Sequence, residues 1–132
     1  VADILRDYRD YTMICAGVFD DMVATLVLEN KEAILERNRQ IVEENLALMD
    51  AWIAKEPKAS WVRPASVSTS FVKLDVNRPI EDFALELLQD YGVLVVPGNR
   101  FDKESHVRIG YCCDKEVLQK GLEKLSQFLN KC

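Results

Sequence analysis

From Lys31 onward the apolar residues fall into two parallel rows. Ile34, Ile41 and Leu48 are seven apart, and so are Leu35, Val42 and Met49. Seven residues are close to two turns of α-helix, so each row runs along one side of a helix. The pattern predicts a helix over 31–55, about 37 Å long at about 1.5 Å per residue. A chain of 132 residues can build one domain with a real core, and a helix of that length is long for it. The two rows together also make a stripe too wide for a helix touching a single partner. Such a helix more naturally links two bodies, with part of its stripe packed on each. Asn38 and Asn45 interrupt a neighbouring row that continues to Trp52.

Shorter patterns flank it. Residues 3–18 are mixed and read as a helical turn followed by a loop. Phe19, Met22, Val23, Leu26 and Val27 recur at three- and four-residue spacing and predict a helix ending near Asn30. Pro57 and Pro64 bracket a connector that contains Trp61. Residues 66–74 have strand composition, with Val67, Thr69 and Phe71 on one face and Val72 and Leu74 apolar on the other. Asn77 and Pro79 open a helix striped by Ile80, Phe83, Ala84, Leu87, Leu88 and Tyr91, and Gly92 is placed to cap it. Val93-Leu94-Val95-Val96 reads as a short buried strand stopped by Pro97-Gly98. A further strand is predicted over 106–113, with Val107, Ile109 and Tyr111 on one face and His106, Arg108, Gly110 and Cys112 on the other. Asp114 caps a last helix, in which Leu118, Leu122, Leu125 and Leu129 repeat at 4-3-4 spacing. The order is helix, long helix, strand, helix, strand, strand, helix, an α+β layer in which helices cover a small sheet.

Composition removes several functions. Lys and Arg total 17 against 22 Asp and Glu, a net charge of -5, so no basic stripe is available for nucleic acid. No stretch approaches the roughly 18 consecutive apolar residues that a membrane helix needs. The four cysteines are Cys15, Cys112, Cys113 and Cys132. Cys112 and Cys113 are neighbours on a predicted strand and point to opposite faces, which speaks against a disulfide framework. With no Asn-x-Ser/Thr sequon in the chain, a reducing, cytoplasmic setting is expected. The chain opens on Val1 rather than Met and shows no signal-peptide pattern. A segment cut from a longer protein is expected, a trimmed start being the alternative.

Among candidate chemical groups Arg108 stands out, because it lies mid-strand between Val107 and Ile109. A guanidinium presents a rigid fork of donors that fits a carboxylate at two points. Gly110, two residues on and on the same face, leaves room for a ligand to approach. From pattern alone, a salt bridge to an acidic residue of a neighbouring helix outweighs that reading. His106 is the only histidine, so no second imidazole is available for a metal or a relay, and a solvated strand-edge position is expected for it. Cys112 and Cys113 with His106 lack the spacing of a zinc site and are expected to be buried, inert thiols. Ser70-Phe71-Val72-Lys73 matches the S-x-x-K string of serine acyl enzymes, but on a strand residues three apart point to opposite faces. Asp20-Asp21 and Glu43-Glu44 read as solvated helix faces, and Pro97-Gly98-Asn99, before Phe101, as a turn. No glycine-rich phosphate loop and no Ser-His-Asp set is present.

The strings Tyr8-Arg9-Asp10-Tyr11-Thr12, Leu35-Glu36-Arg37-Asn38-Arg39, Val95-Val96-Pro97-Gly98-Asn99-Arg100-Phe101 and His106-Val107-Arg108-Ile109-Gly110-Tyr111 occur in this order. Together they resemble the C-terminal part of a class I/II aminotransferase, a pyridoxal-phosphate enzyme of the aspartate aminotransferase fold. The resemblance implies a small, mostly antiparallel sheet covered by helices, with a long N-terminal connecting helix. It divides the chain into 1–30 (the end of a large domain and a first helix), 31–56 (the connecting helix) and 57–132 (the small α+β domain). It implies that Arg108 binds the α-carboxylate of amino-acid and 2-oxo-acid substrates, and that 95–101 borders the same cleft. The Tyr11-Thr12 region would lie near the cofactor and a homodimer interface, with no catalytic role. The family's cofactor lysine, phosphate-binding arginine and ring-nitrogen aspartate would lie upstream, in a large domain missing from this chain. The expectation is therefore a transaminase fragment that is inactive alone and binds no pyridoxal phosphate, with no catalytic, cofactor-binding or metal residues of its own. The alternatives are the small domain of another enzyme of the same fold, such as a carbon–sulfur lyase, and a non-catalytic α+β binding module.

Overall fold

A computed structural model describes residues 2–13, 15, 17–65 and 67–131. The chain divides into two compact units, Val1–Arg37 and Asn38–Cys132. The first holds α1 (Ala2–Thr12), α2 (Val18–Glu29) and the start of α3 (Lys31–Ile53). α1 is a full eleven-residue helix where a single turn is predicted. Ile4, Leu5, Tyr8 and Tyr11 fall at helical spacing, a period that the mixed composition obscures. α2 ends as expected at Asn30, whose side-chain amide donates to the Leu26 carbonyl at 2.8 Å. Neither α1 nor α2 buries a residue; Phe19 is 83% and Tyr11 91% exposed.

The second unit contains the end of α3, then β1 (Ala59–Trp61), β2 (Thr69–Leu74), α4 (Ile80–Tyr91), β3 (Val96–Pro97), a 3-10 turn (Gly98–Phe101), β4 (His106–Gly110) and α5 (Lys115–Leu129). The strands form one sheet in the order β1-β2-β4-β3, each neighbour antiparallel. Phe71 pairs with Arg108, and Val72 with Val107. One sheet face carries Val72, Leu74, Val107 and Ile109 into a core completed by Ile80, Phe83 and Leu87 of α4, Leu118, Leu122, Leu125 and Leu129 of α5, and Leu46 and Met49 of α3. Full burial of such side chains stabilises by about 1.5–3 kcal/mol each. Both predicted caps are present: Gly92 takes a left-handed φ of 67° after α4, and Asp114 accepts from the Glu116 N–H at 2.9 Å at the start of α5.

The strands depart from expectation at their ends. β1 is an additional strand inside the proline-bracketed connector, three residues long and recognisable only by its pairing with β2, Ala59 opposite Leu74 and Trp61 opposite Val72. β2 begins at Thr69; Val67 is exposed outside it, and Ser66 lies outside the described residues. Of the apolar run 93–96 only Val96 joins the ladder. The Val93 N–H is drawn back to the Leu87 carbonyl at 3.4 Å by the end of α4, and Leu94 is 76% exposed. β4 stops at Gly110, three residues early. There the Tyr111 and Cys113 carbonyls accept from the buried Asn45 amide at 2.7 and 2.8 Å, so a side chain on α3 replaces a strand partner. Leu88, placed in the α4 stripe, is 40% exposed.

Candidate functional site

β4 lies inside the sheet between β2 and β3, and its alternation is as read from the sequence: Val107, Ile109 and Tyr111 are buried, while Arg108, Gly110 and Cys112 are exposed. Among the described residues no carboxylate lies within ion-pair distance of Arg108. The salt bridge that pattern alone favours is therefore not formed. The contact that is present is aromatic: the Arg108 guanidinium carbon sits 5.3 Å from the centroid of the Phe101 ring. Phe101 meets Phe71 edge to face at 5.9 Å, and Phe71 stacks on His106 at 4.9 Å.

The turn that carries Phe101 is tied down at both ends. Gly98 is buried under the Lys103 and His106 carbonyls, and the Lys103 N–H donates to the Gly98 carbonyl at 3.0 Å. The Asn99 amide donates to Glu81 in the first turn of α4 at 2.7 Å, and the Arg100 guanidinium donates to the same carboxylate. The Asn99 hydrogen bond, opposed by desolvation and assisted by the Arg100 charge, holds the Glu81 carboxyl below the usual carboxylate range. Glu104 accepts from the Ile80 N–H at 3.2 Å, so the far end of the loop caps the same helix.

His106 is not a solvated strand-edge residue. β4 is an inner strand, and the ring is half-buried against Phe71, with Nδ1 buried and unpartnered. Burial, then the Lys103 and Lys73 charges, hold the imidazole below its ordinary value of 6.5. As pH falls the unfolded chain takes up the proton first. His106 thus contributes stability that is complete above the unfolded value and is lost as pH falls through the lowered folded one. His106→Phe, which keeps a stacked ring, is expected to flatten the fall in urea-unfolding stability between about pH 7 and pH 5. An unchanged slope would remove His106 as its source.

The remaining candidates separate. Ser70 is buried and donates to the Ile109 carbonyl at 3.3 Å, while Lys73 is exposed on the other face, so the S-x-x-K string is divided by the sheet. Cys112 is exposed and Cys113 half-buried, which corrects the expectation of buried thiols; Cys112 follows Arg108 and Gly110 on the open face, and Cys113 lies beyond the end of β4, at the margin of the core. Cys15 is exposed and free, and Cys132 lies outside the described residues. Tyr11 and Thr12 end α1, both exposed. Asp20, Asp21, Glu43 and Glu44 are exposed, as expected of solvated faces. Among the described residues no group of three His, Cys, Asp or Glu could hold a metal ion, and no helix is long and apolar enough to cross a membrane. The Phe71–Phe101–His106 row is legible in the sequence only as alternation within each strand; the register that joins the rings is not.

The family described as aminotransferase class I and II matches residues 5–125. This chain belongs to that family. Its quoted strings now fall on α1, α3, β3 with its 3-10 turn, and β4. Among curated relatives, this family member is 28% identical over 130 residues to capreomycidine synthase of Streptomyces vinaceus, covering 98% of the chain and 33% of the relative. Among solved structures, a PLP-dependent aminotransferase from Streptococcus suis is 66% identical with a TM-score of 0.91, over 98% of this chain and 34% of that one. The PLP-dependent cyclase OrfR is 26% identical with a TM-score of 0.87, over 95% and 35%. The chain spans about a third of the length of the relatives it matches. The described residues do not by themselves fit pyridoxal phosphate. The open sheet face carries one unpaired guanidinium and no phosphate cradle, and the S-x-x-K pair is split across the sheet.

Proposed function

We propose that this chain is the C-terminal part of a pyridoxal-phosphate-dependent aminotransferase, in which Arg108 binds the α-carboxylate of amino-acid and 2-oxo-acid substrates. The observation that carries this reading is the state of Arg108: exposed on an inner strand, free of any carboxylate partner among the described residues, and steadied by a ring rather than by an acid. Its fork of donors is available for a two-point, charge-assisted contact. Two strong contacts at one end of a substrate fix the orientation of its Cα. Gly110, paired with Thr69 on the same face, adds no side-chain bulk beside it.

The cofactor supplies an electron sink, and the lysine, arginine and aspartate that hold it are assigned to a large domain outside this chain. On this reading 1–30 ends that domain, 31–56 is the connecting helix and 57–132 the small domain. The uncovered apolar residues of α1 and α2 support a homodimer, and the free thiols of Cys15, Cys112 and Cys113 support a cytoplasmic enzyme. Likeness to a synthase and a cyclase favours a second reading, in which the same arginine holds an amino acid that undergoes a different reaction. Release of a 2-oxo acid from the amino donor marks transamination and distinguishes the two.

The test uses the full-length enzyme and the chain side by side. Arg108→Lys should raise KM for the amino-acid substrate about 10- to 100-fold and lower kcat, because an ammonium cannot replace the fork and a charged hydrogen bond contributes about 1.5–3 kcal/mol. Unchanged kinetics would remove Arg108 from the site. The chain alone, incubated with pyridoxal phosphate and dialysed, should show no transamination and no borohydride-reducible adduct. A stoichiometric adduct would overturn the assignment of the cofactor to a missing domain.

A further inference from the structure

An arginine with no acidic partner has a mobility problem. Its side chain is long, and a fork that samples many rotamers must be ordered each time a carboxylate binds. A carboxylate neighbour would order it but would also occupy the donors. A ring holds the cation through its charge and leaves the N–H edge free.

That arrangement surrounds Arg108. Phe101 lies under the guanidinium at 5.3 Å. Phe71, paired with Arg108 across the ladder, braces Phe101 in an edge-to-face contact, the two rings inclined at 83°. His106 in turn stacks on Phe71, inclined by 17°. The backbone beneath Phe101 is fixed by the packing of Gly98 and by the Asn99 and Arg100 bonds to Glu81. A ring 45% exposed to solvent is thus held in place from two directions.

We propose that Phe101 is a positioning residue, which orients the Arg108 guanidinium for a carboxylate ligand, with Phe71 and His106 as its backing. The proposal rests on the reading of Arg108 as the carboxylate-binding group. It assigns to the final residue of the 95–101 string a role exerted through Arg108 and not through contact with the rest of the substrate.

The experiment is a double-mutant cycle in the full-length enzyme. Phe101→Leu and Phe101→Tyr are each made with Arg108 and with Arg108→Lys, and KM, kcat and Tm are measured. Phe101→Leu removes the π face and keeps an apolar side chain; it should raise KM for the amino acid about three- to fivefold. Phe101→Tyr should stay within about twofold of the parent, because the ring is kept. In the Arg108→Lys background the Phe101→Leu change should alter KM less than about twofold, since a lysine has no planar fork to orient. Equal effects in the two backgrounds would overturn the proposal, as would a flat KM or a loss confined to kcat with a lowered Tm. If Arg108→Lys alone leaves KM unchanged, the carboxylate reading fails first. If it raises KM while Phe101→Leu does not, only the positioning role fails.

Discussion

Gly98→Ala is expected to destabilise the chain by about 3 kcal/mol, at the upper end of the cost of overpacking. A Cβ at this position would lie 2.2 Å from the Lys103 carbonyl oxygen and 2.4 Å from that of His106. Both are backbone atoms, so no side chain can swing aside. The Lys103 carbonyl is already the acceptor for the His106 N–H at 3.2 Å, and His106 opens β4. Relief therefore requires the 98–106 loop to move off the sheet, carrying Phe101 with it. In urea unfolding the midpoint should fall with little change in slope. On the proposed carboxylate-binding role of Arg108, the KM for an amino-acid substrate of the full-length protein should rise alongside. A midpoint equal to the parent's would show that the turn yields at no cost and that close packing does not explain this glycine.

Asn45→Leu should destabilise by about 2–4 kcal/mol, since an unsatisfied buried polar group costs about 1–3 kcal/mol. The side chain is 2% exposed, and its amide serves the Tyr111 and Cys113 carbonyls together. Leucine matches the size and suits the apolar row, yet leaves both carbonyls without this donor. Asn45→Asp should be worse at neutral pH, because a carboxylate would face two carbonyl oxygens; its deficit should shrink on acidification, when the protonated acid can donate to one of them. If the Asn45→Leu variant matched the parent in urea, the two carbonyls would have found other donors. Trp52, further along the same row, acts similarly: its indole N–H donates to Ser126 of α5 at 2.8 Å, and Ser126 donates to the buried Glu56 at 2.7 Å. A row that reads as interrupted hydrophobic stripe is therefore the line along which α3 is hydrogen-bonded to the rest of its unit.

Arg108 itself was legible. Alternation of Val107, Ile109 and Tyr111 dictates which way it points, and its setting between two apolar neighbours marks it as unusual. Its partner was not legible. The pattern favoured an acid, and the structure supplies Phe101, which comes from a turn folded back over β4. The setting of His106 is not legible for the same reason: its burial depends on Phe71, which comes from another strand.

Local periodicity and capping chemistry, both written within a few residues, determined α4 with Gly92, α5 with Asp114, the long α3 and the buried face of β4. These features need no knowledge of what lies opposite, because each turn of helix or pleat of strand reports its own apolar side. The tertiary structure alone decided that 71 stands beside 108, that β1 exists at all, that β4 ends where an asparagine takes its carbonyls, and that a ring rather than an acid holds the guanidinium. Such pairings join residues distant in sequence, and the hydrogen bonds and ring contacts that select them exist only after the chain has closed on itself.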